Sequence, residues 1–191
     1  MPNFLTEKFE EALIYSTRLH ADQKRKRSSV PYLAHLLGVT SLVLEDGGGE
    51  DEAIAALLHD AVEDQGGLET LKEIERRFGS EVANIVDALT DSYSDPKPPW
   101  KERKEAYIAS LRTANPEVIR VSLADKVYNA RATLRDIRQN GEAGWEKFNG
   151  GKDGTLWYYR QLIQAFEFHG TRSLLSELVR IVDELEKLSA D

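Results

Sequence analysis

Apolar residues recur at three-four spacing through nearly the whole chain, a period that admits helices and little else. Residues 6 to 22 place Phe9, Ala12, Leu13, Ser16 and Leu19 on one stripe, with Thr6 as cap and Glu7 in the first turn. Pro31 fits the first turn of a second helix. Its Leu33, Leu36, Leu37, Thr40, Val43 and Leu44 keep the period until Asp46 and Gly47-Gly48-Gly49. Asp51 can cap a third helix, Glu52 to about Asp64, ended by Gly66-Gly67. Phe78-Gly79-Ser80-Glu81 reads as a stop followed at once by a new cap. Three of the six prolines crowd into Asp95-Pro96-Lys97-Pro98-Pro99, which predicts a long loop. Further helices are expected over about 101–113, 116–139, 155–168 and 171–189. Gly141, Gly144, Gly150, Gly151 and Gly154 predict a flexible bridge before the last two. The expectation is an all-α, single-domain bundle of eight or more helices spanning 1–191.

Charge narrows the partners. The chain has 25 Lys and Arg against 33 Asp and Glu, a net −8, so a nucleic-acid polymer or an anionic membrane is not expected as partner. Local basic clusters can still bind a small polyanion. The absence of cysteine excludes disulfides, zinc-thiolate sites and cysteine nucleophiles, and it fits a reducing cytoplasm. The N-terminal residues lack a signal-peptide profile. The longest apolar run, Ala53 to Leu58, is far short of the roughly 20 residues that span a bilayer. A cytoplasmic protein is expected.

That same apolar run ends in the sharpest chemical signal, Leu57-Leu58-His59-Asp60-Ala61-Val62-Glu63-Asp64. On a continuous helix His59 and Glu63 stack on one face, with Asp60 and Asp64 about 100° around. Ionisable groups buried there unpaired would cost several kcal/mol each, and a bound cation relieves that cost. His35, one of four histidines, lies on the apolar side of the second helix. Asp125 ends a further apolar run, with Asn129 one turn later. Two imidazoles and two carboxylates from three segments make a mixed N/O site suited to Mn²⁺, Fe²⁺ or Zn²⁺.

The order His35, His59-Asp60, Asp125 resembles the H…HD…D pattern of the HD phosphohydrolase superfamily. The finer context resembles the hydrolase domain of RelA/SpoT homologues, most of all the stand-alone small alarmone hydrolases of the metazoan SpoT homologue type. Four stretches carry the likeness: His20-Ala21-Asp22-Gln23-Lys24-Arg25-Lys26, Pro31-Tyr32-Leu33-Ala34-His35, Ala56 to Asp64, and Leu123-Ala124-Asp125-Lys126-Val127-Tyr128-Asn129-Ala130-Arg131. Phe78 to Val82 and Asp87 to Asp91 add to it. The likeness covers about 6–135, with 155–189 as closing helices.

The resemblance implies a metal-dependent hydrolase that removes the 3′-pyrophosphate from (p)ppGpp or (p)ppApp. By the same likeness the metal is Mn²⁺, held by His35, His59, Asp60 and Asp125, with Glu63 and Asp64 as the catalytic pair. A carboxylate one turn past the ligands is placed to take a water proton. Substrate contacts are expected from Arg25 (stacking on the base), Lys26, Tyr32, Asn129 (at the sugar), Lys101 and Tyr159. Lys97, Arg103 and Lys104 share with Lys101 the candidacy for the pyrophosphate. Leu36, Gln65 and the turn Lys26-Arg27-Ser28-Ser29-Val30 depart from the usual pattern, and that turn borders the purine site. A generic HD nucleotidase or phosphodiesterase, or a silent nucleotide-binding module, are the alternative readings.

Overall fold

The computed structural model describes residues 5–94, 96–170 and 173–190. Met1–Phe4 of the N-terminal stretch, Asp95 of the proline-rich loop and Thr171–Arg172 of the last expected helix lie outside the described residues. The chain forms α1 (Glu7–Leu19), α2 (Leu33–Glu45), α3 (Glu50–Leu58), α4 (Ala61–Gln65) and α5 (Gly67–Phe78). It continues with α6 (Ser80–Leu89), α7 (Trp100–Leu111), α8 (Pro116–Asn140), α9 (Gly151–Glu167) and α10 (Ser173–Ala190). Among the described residues no strand forms; Lys24 and Pro31 make an isolated antiparallel bridge. No helix among them is long and apolar enough to cross a membrane.

The centre is α3. Every residue from Ala53 to Leu58 is fully buried, because α1, α2, α6 and α8 pack around the helix on all sides. A helix apolar all round is stable only when wrapped in this way. One continuous apolar cluster runs from Ala12 on α1 to Leu185 on α10. The helix of 116–139 forms as expected, its β-branched start included, and it packs against α2, α3, α6 and α10.

Four local expectations are corrected. The first helix ends at Leu19, where the His20 N–H closes onto Ser16 O (3.1 Å), rather than at 22. Pro31 sits in the bridge and the second helix begins at Leu33. The bridge is closed by Arg25 N–H to Val30 O and Tyr32 N–H to Gln23 O (2.9 Å each), so it needs no N–H from the proline. The second helix also turns a wider face inward: His35, Val39 and Leu42 are buried, while Leu37 is exposed. Its contacts with both α3 and α8 account for that. The third helix starts at Glu50, with Glu52 accepting the Gly49 N–H (2.7 Å), and it breaks at His59-Asp60. A continuing helix would offer the Ala56 carbonyl to the Asp60 N–H, but His59 Nδ1 occupies it at 2.8 Å.

The predicted flexible bridge is instead ordered. Gly141–Lys147 form a 3₁₀ segment that buries Trp145, and α9 begins at Gly151. Gly150 is required by close approach: a Cβ there would lie 2.7 Å from the Trp100 ring. Gly38 on α2 is under the same constraint, since a Cβ would fall 2.0 Å from the Tyr128 ring. Tyr128 lies against the His35 ring, centroids 5.1 Å apart. Gly38→Ala is therefore expected to lower stability by about 1–3 kcal/mol, the range for overpacking. Urea denaturation checks this, and an unchanged midpoint would show that the contact yields freely.

Candidate functional site

The fold brings the donors of three elements together. His35 comes from α2, His59 and Asp60 from the α3–α4 break, and Asp125 from the middle of α8. His35 Nε2 lies 3.3 Å from His59 Nε2, 3.4 Å from Asp60 Oδ2 and 3.3 Å from Asp125 Oδ1. His59 Nε2 lies 3.0 Å from Asp60 Oδ2 and 3.7 Å from Asp125 Oδ1. His35, His59 and Asp125 are all buried, with donor atoms within 4.8 Å of one another.

These residues fit a divalent cation. Donors each about 2.0–2.2 Å from one ion must stand roughly 3.0–3.6 Å apart, which is the spacing here. His59 Nδ1 is engaged by the Ala56 carbonyl, so once the ring gives up its second proton it is Nε2 that is left bare towards the cluster. Burial disfavours charge on His59, but Asp60 and Asp125 outweigh it and push its pKa well above the ordinary value. Burial likewise works against charge on Asp60, and the His59 and His35 imidazoles hold it well below the usual carboxylate range. A cluster whose protons are held this way is one that wants a positive charge at its centre.

Around the cluster opens a cavity of about 180 Å³. Lys126 reaches Asp125 Oδ2 at 2.6 Å and lies 4.8 Å from the Tyr107 ring centroid. Burial opposes its charge, yet Asp125 raises the Lys126 pKa well above normal. Lys104 stands on the same wall, 3.2 Å from Asp91. Burial, then the nearby Lys126 and Arg103, push Lys104 down to about 8. Glu63 also lines the cavity and receives Lys97 of the proline-rich loop at 2.5 Å. Tyr158 closes the cavity, with a buried hydroxyl lacking a hydrogen-bond partner.

The other expected residues distribute unevenly. Tyr32 donates to Asp60 Oδ2 (2.6 Å) and lines the cavity. Asn129 also lines it, donating to Asp125 Oδ1 (2.5 Å) and accepting from Arg25 (2.7 Å). The Arg25 guanidinium lies 5.7 Å from the Tyr32 ring centroid. Lys26 reaches Asn149 at 3.2 Å. Asp64 turns off the cavity wall towards Gln23, which donates to it at 2.7 Å. The helix break explains why the expected stacking of His59 on Glu63 and Asp60 on Asp64 does not describe the site. Lys101 is exposed, beside Glu105 (3.9 Å) and Trp157, and is not a wall residue. Tyr159 is core, and burial raises its phenol to about 12. Sequence reasoning passed over Lys126, Tyr107 and Asp91. Lys126 was signalled by its place beside Asp125, and Tyr107 by its spacing three residues after Lys104 on one helix face.

Comparison with known proteins gives the family of the chain. A family model described as HD domain matches residues 12–155. The guanosine-3′,5′-bis(diphosphate) 3′-pyrophosphohydrolase of Xenopus tropicalis is 39% identical over 140 residues, 72% of this chain and 73% of that protein. Its Homo sapiens counterpart is 36% identical over the same shares. A solved structure described as a metazoan ortholog of SpoT that hydrolyzes ppGpp superposes with a TM-score of 0.76 at 28% identity, covering 93% of this chain and 95% of that one. The chain belongs to the HD-domain hydrolases of the RelA/SpoT homologue family, of the metazoan SpoT homologue type.

Proposed function

We propose that the chain is a divalent-metal-dependent 3′-pyrophosphohydrolase of (p)ppGpp, yielding the 5′-phosphorylated nucleoside and pyrophosphate. One observation carries the reading: a single cavity joins a His35–His59–Asp60–Asp125 donor cluster to Glu63, Lys104 and Lys126 in its lining. The printed activities of the relatives supply the substrate class. The whole described chain would work as one unit, with α9 and α10 closing the motif-bearing helices. A nucleotide of this kind is handled where nucleoside triphosphates are, so we assign the activity to the cytoplasm.

His35 and His59 would hold the metal through Nε2, and Asp60 and Asp125 through carboxylate oxygens. We take the ion as Mn²⁺ from the family likeness; when bound it supplies Lewis acidity and positive charge at the reacting phosphoryl group. Glu63 takes a proton from the attacking water, and Lys97 keeps that carboxylate facing the cavity. The water oxygen joins the phosphorus attached to the 3′-oxygen. The bond between that phosphorus and the 3′-oxygen breaks, and the nucleoside leaves with its 3′-hydroxyl protonated from solvent. Lys104, the member of the Lys97, Lys101, Arg103 and Lys104 set whose side chain forms cavity wall, neutralises the pyrophosphate. Arg25 stacks on the purine near Tyr32, Asn129 meets the sugar, and Lys26 adds a further substrate contact.

The direct test incubates the protein and Mn²⁺ with ppGpp, ppApp, deoxynucleoside monophosphates and cyclic nucleotides. Pyrophosphate released only from 3′-pyrophosphorylated substrates is expected, whereas orthophosphate from a mononucleotide would point to a generic nucleotidase. His59→Ala and Asp125→Ala should abolish both bound metal, by elemental analysis, and turnover. Glu63→Gln should keep its metal yet lose at least about 10²-fold in kcat, and wild-type speed would exclude a base role.

The Lys104 ammonium must be charged to meet a polyanion, and its pKa near 8 makes that charge fade as pH rises. kcat/KM is therefore expected to fall on the alkaline side of about pH 8. Lys104→Arg, which stays protonated, should flatten that limb. An identical limb in both proteins would remove Lys104 from the substrate contacts.

A further inference from the structure

We infer that Gln23 is a positioning residue whose side-chain amide, locked by His20 and Gln65, holds the Asp64 carboxylate in its working orientation. The inference rests on the functional reading above and adds to it that Asp64, which the family likeness pairs with Glu63, orients the attacking water from beside the cavity.

Gln23 lies in the turn just after α1, far in sequence from α4, yet its Nε2 donates to Asp64 Oδ2 at 2.7 Å. Its Oε1 is engaged twice: Gln65 Nε2 donates to it at 2.6 Å, and His20 Nδ1 lies 2.6 Å away. A side-chain amide has two ends of nearly equal shape, and only its partners decide which faces where. Two nitrogen partners at the oxygen leave the amide nitrogen as the end that must meet the carboxylate. His20 is itself held, 2% exposed and stacked on Tyr32 with ring centroids 5.5 Å apart. Tyr32 in turn donates to Asp60 Oδ2 at 2.6 Å. The clamp on Asp64 is thus tied back to the donor cluster through packed and hydrogen-bonded groups.

The chemistry of the two holds differs. Lys97 meets Glu63 with a full positive charge. Gln23 meets Asp64 with a neutral donor, which restrains the carboxylate without cancelling its charge. Asp64 lies in the last turn of the short helix α4 and is exposed, so without that bond its side chain has free rotamers to occupy.

The test replaces Gln23 by methionine, similar in length but without hydrogen bonds. Gln23→Met is expected to lower kcat about tenfold or more, since misplacement of a reacting group has that scale, with KM, bound Mn²⁺ and thermal midpoint unchanged. In an Asp64→Asn background the same substitution should cost nothing further. A wild-type kcat, or an equal loss in both backgrounds, would overturn the assignment. Gln65→Met, which loosens the clamp by one bond, should give a smaller fall in kcat and serves if Gln23→Met does not fold. A readout free of turnover is the ¹⁵N–¹H signal pair of the Gln23 side-chain amide. It should shift in Asp64→Asn and in Gln65→Met, and signals unmoved by either would also overturn the proposal. If the unaltered protein releases no pyrophosphate from any nucleotide, the functional reading fails, while the amide signals still decide whether Gln23 holds Asp64.

Discussion

Four lone-pair donors of like character face one another at the end of a buried apolar helix, and most of the structure answers to that arrangement. In a medium of low dielectric such a cluster is stable only with protons or a cation among its members. The surrounding residues anchor three of the four donors, while His35 Nδ1 is buried without a hydrogen-bond partner. Ala56 O holds His59, Tyr32 holds Asp60, and Lys126 with Asn129 holds Asp125. This outer layer keeps the inner atoms aimed at a common point, the usual requirement of a metal centre. The break between α3 and α4 belongs to the same logic, since His59 uses for its own ring the carbonyl that helix continuation needed.

Charge is distributed across the cavity in a way that suits a phosphorylated substrate. The lining combines the donor cluster with the Lys104 and Lys126 ammonium groups and the Glu63 and Asp91 carboxylates. The wall lysines are held differently. Lys126 is neutralised in place by Asp125, whereas Lys104 shares Asp91 with Arg103 and keeps part of its charge for an incoming group. The proline-rich segment before α7 carries Lys97, which meets Glu63 of the cavity lining. The elements are therefore less a scaffold carrying a site than a set of supports whose lengths are set by where each donor must arrive.

Much of this was legible in the residues. The three-four period announced an all-helical chain, the glycine stop at Gly79 divided α5 from α6, and the β-branched start of α8 did not mislead about its helicity. His59, Asp60 and Asp125 stand at the ends of apolar runs and His35 within one, but those residues alone also admit a solvated helix end and a core histidine; the order His35, His59-Asp60, Asp125 singled them out through its likeness to the HD pattern. Less visible were Lys126 and Asp91, whose side chains read locally as ordinary solvated charges. The glycines after Gly141 were misread because composition cannot distinguish freedom from close approach: Gly150 is small to admit Trp100.

By itself the sequence determined the helical period, the donor types and their order along the chain, because these follow from residue chemistry and local spacing. Only the tertiary structure decided which side chains share a cavity. Lys104 and Lys101 are three residues apart, roughly 300° around a helix at about 100° per residue, and packing alone turned one inward and left the other in solvent. Likewise Glu63 and Asp64 are neighbours in the chain but project on different sides of a short helix, so each is held by a partner that only the folded chain can bring: Lys97 for one, Gln23 for the other.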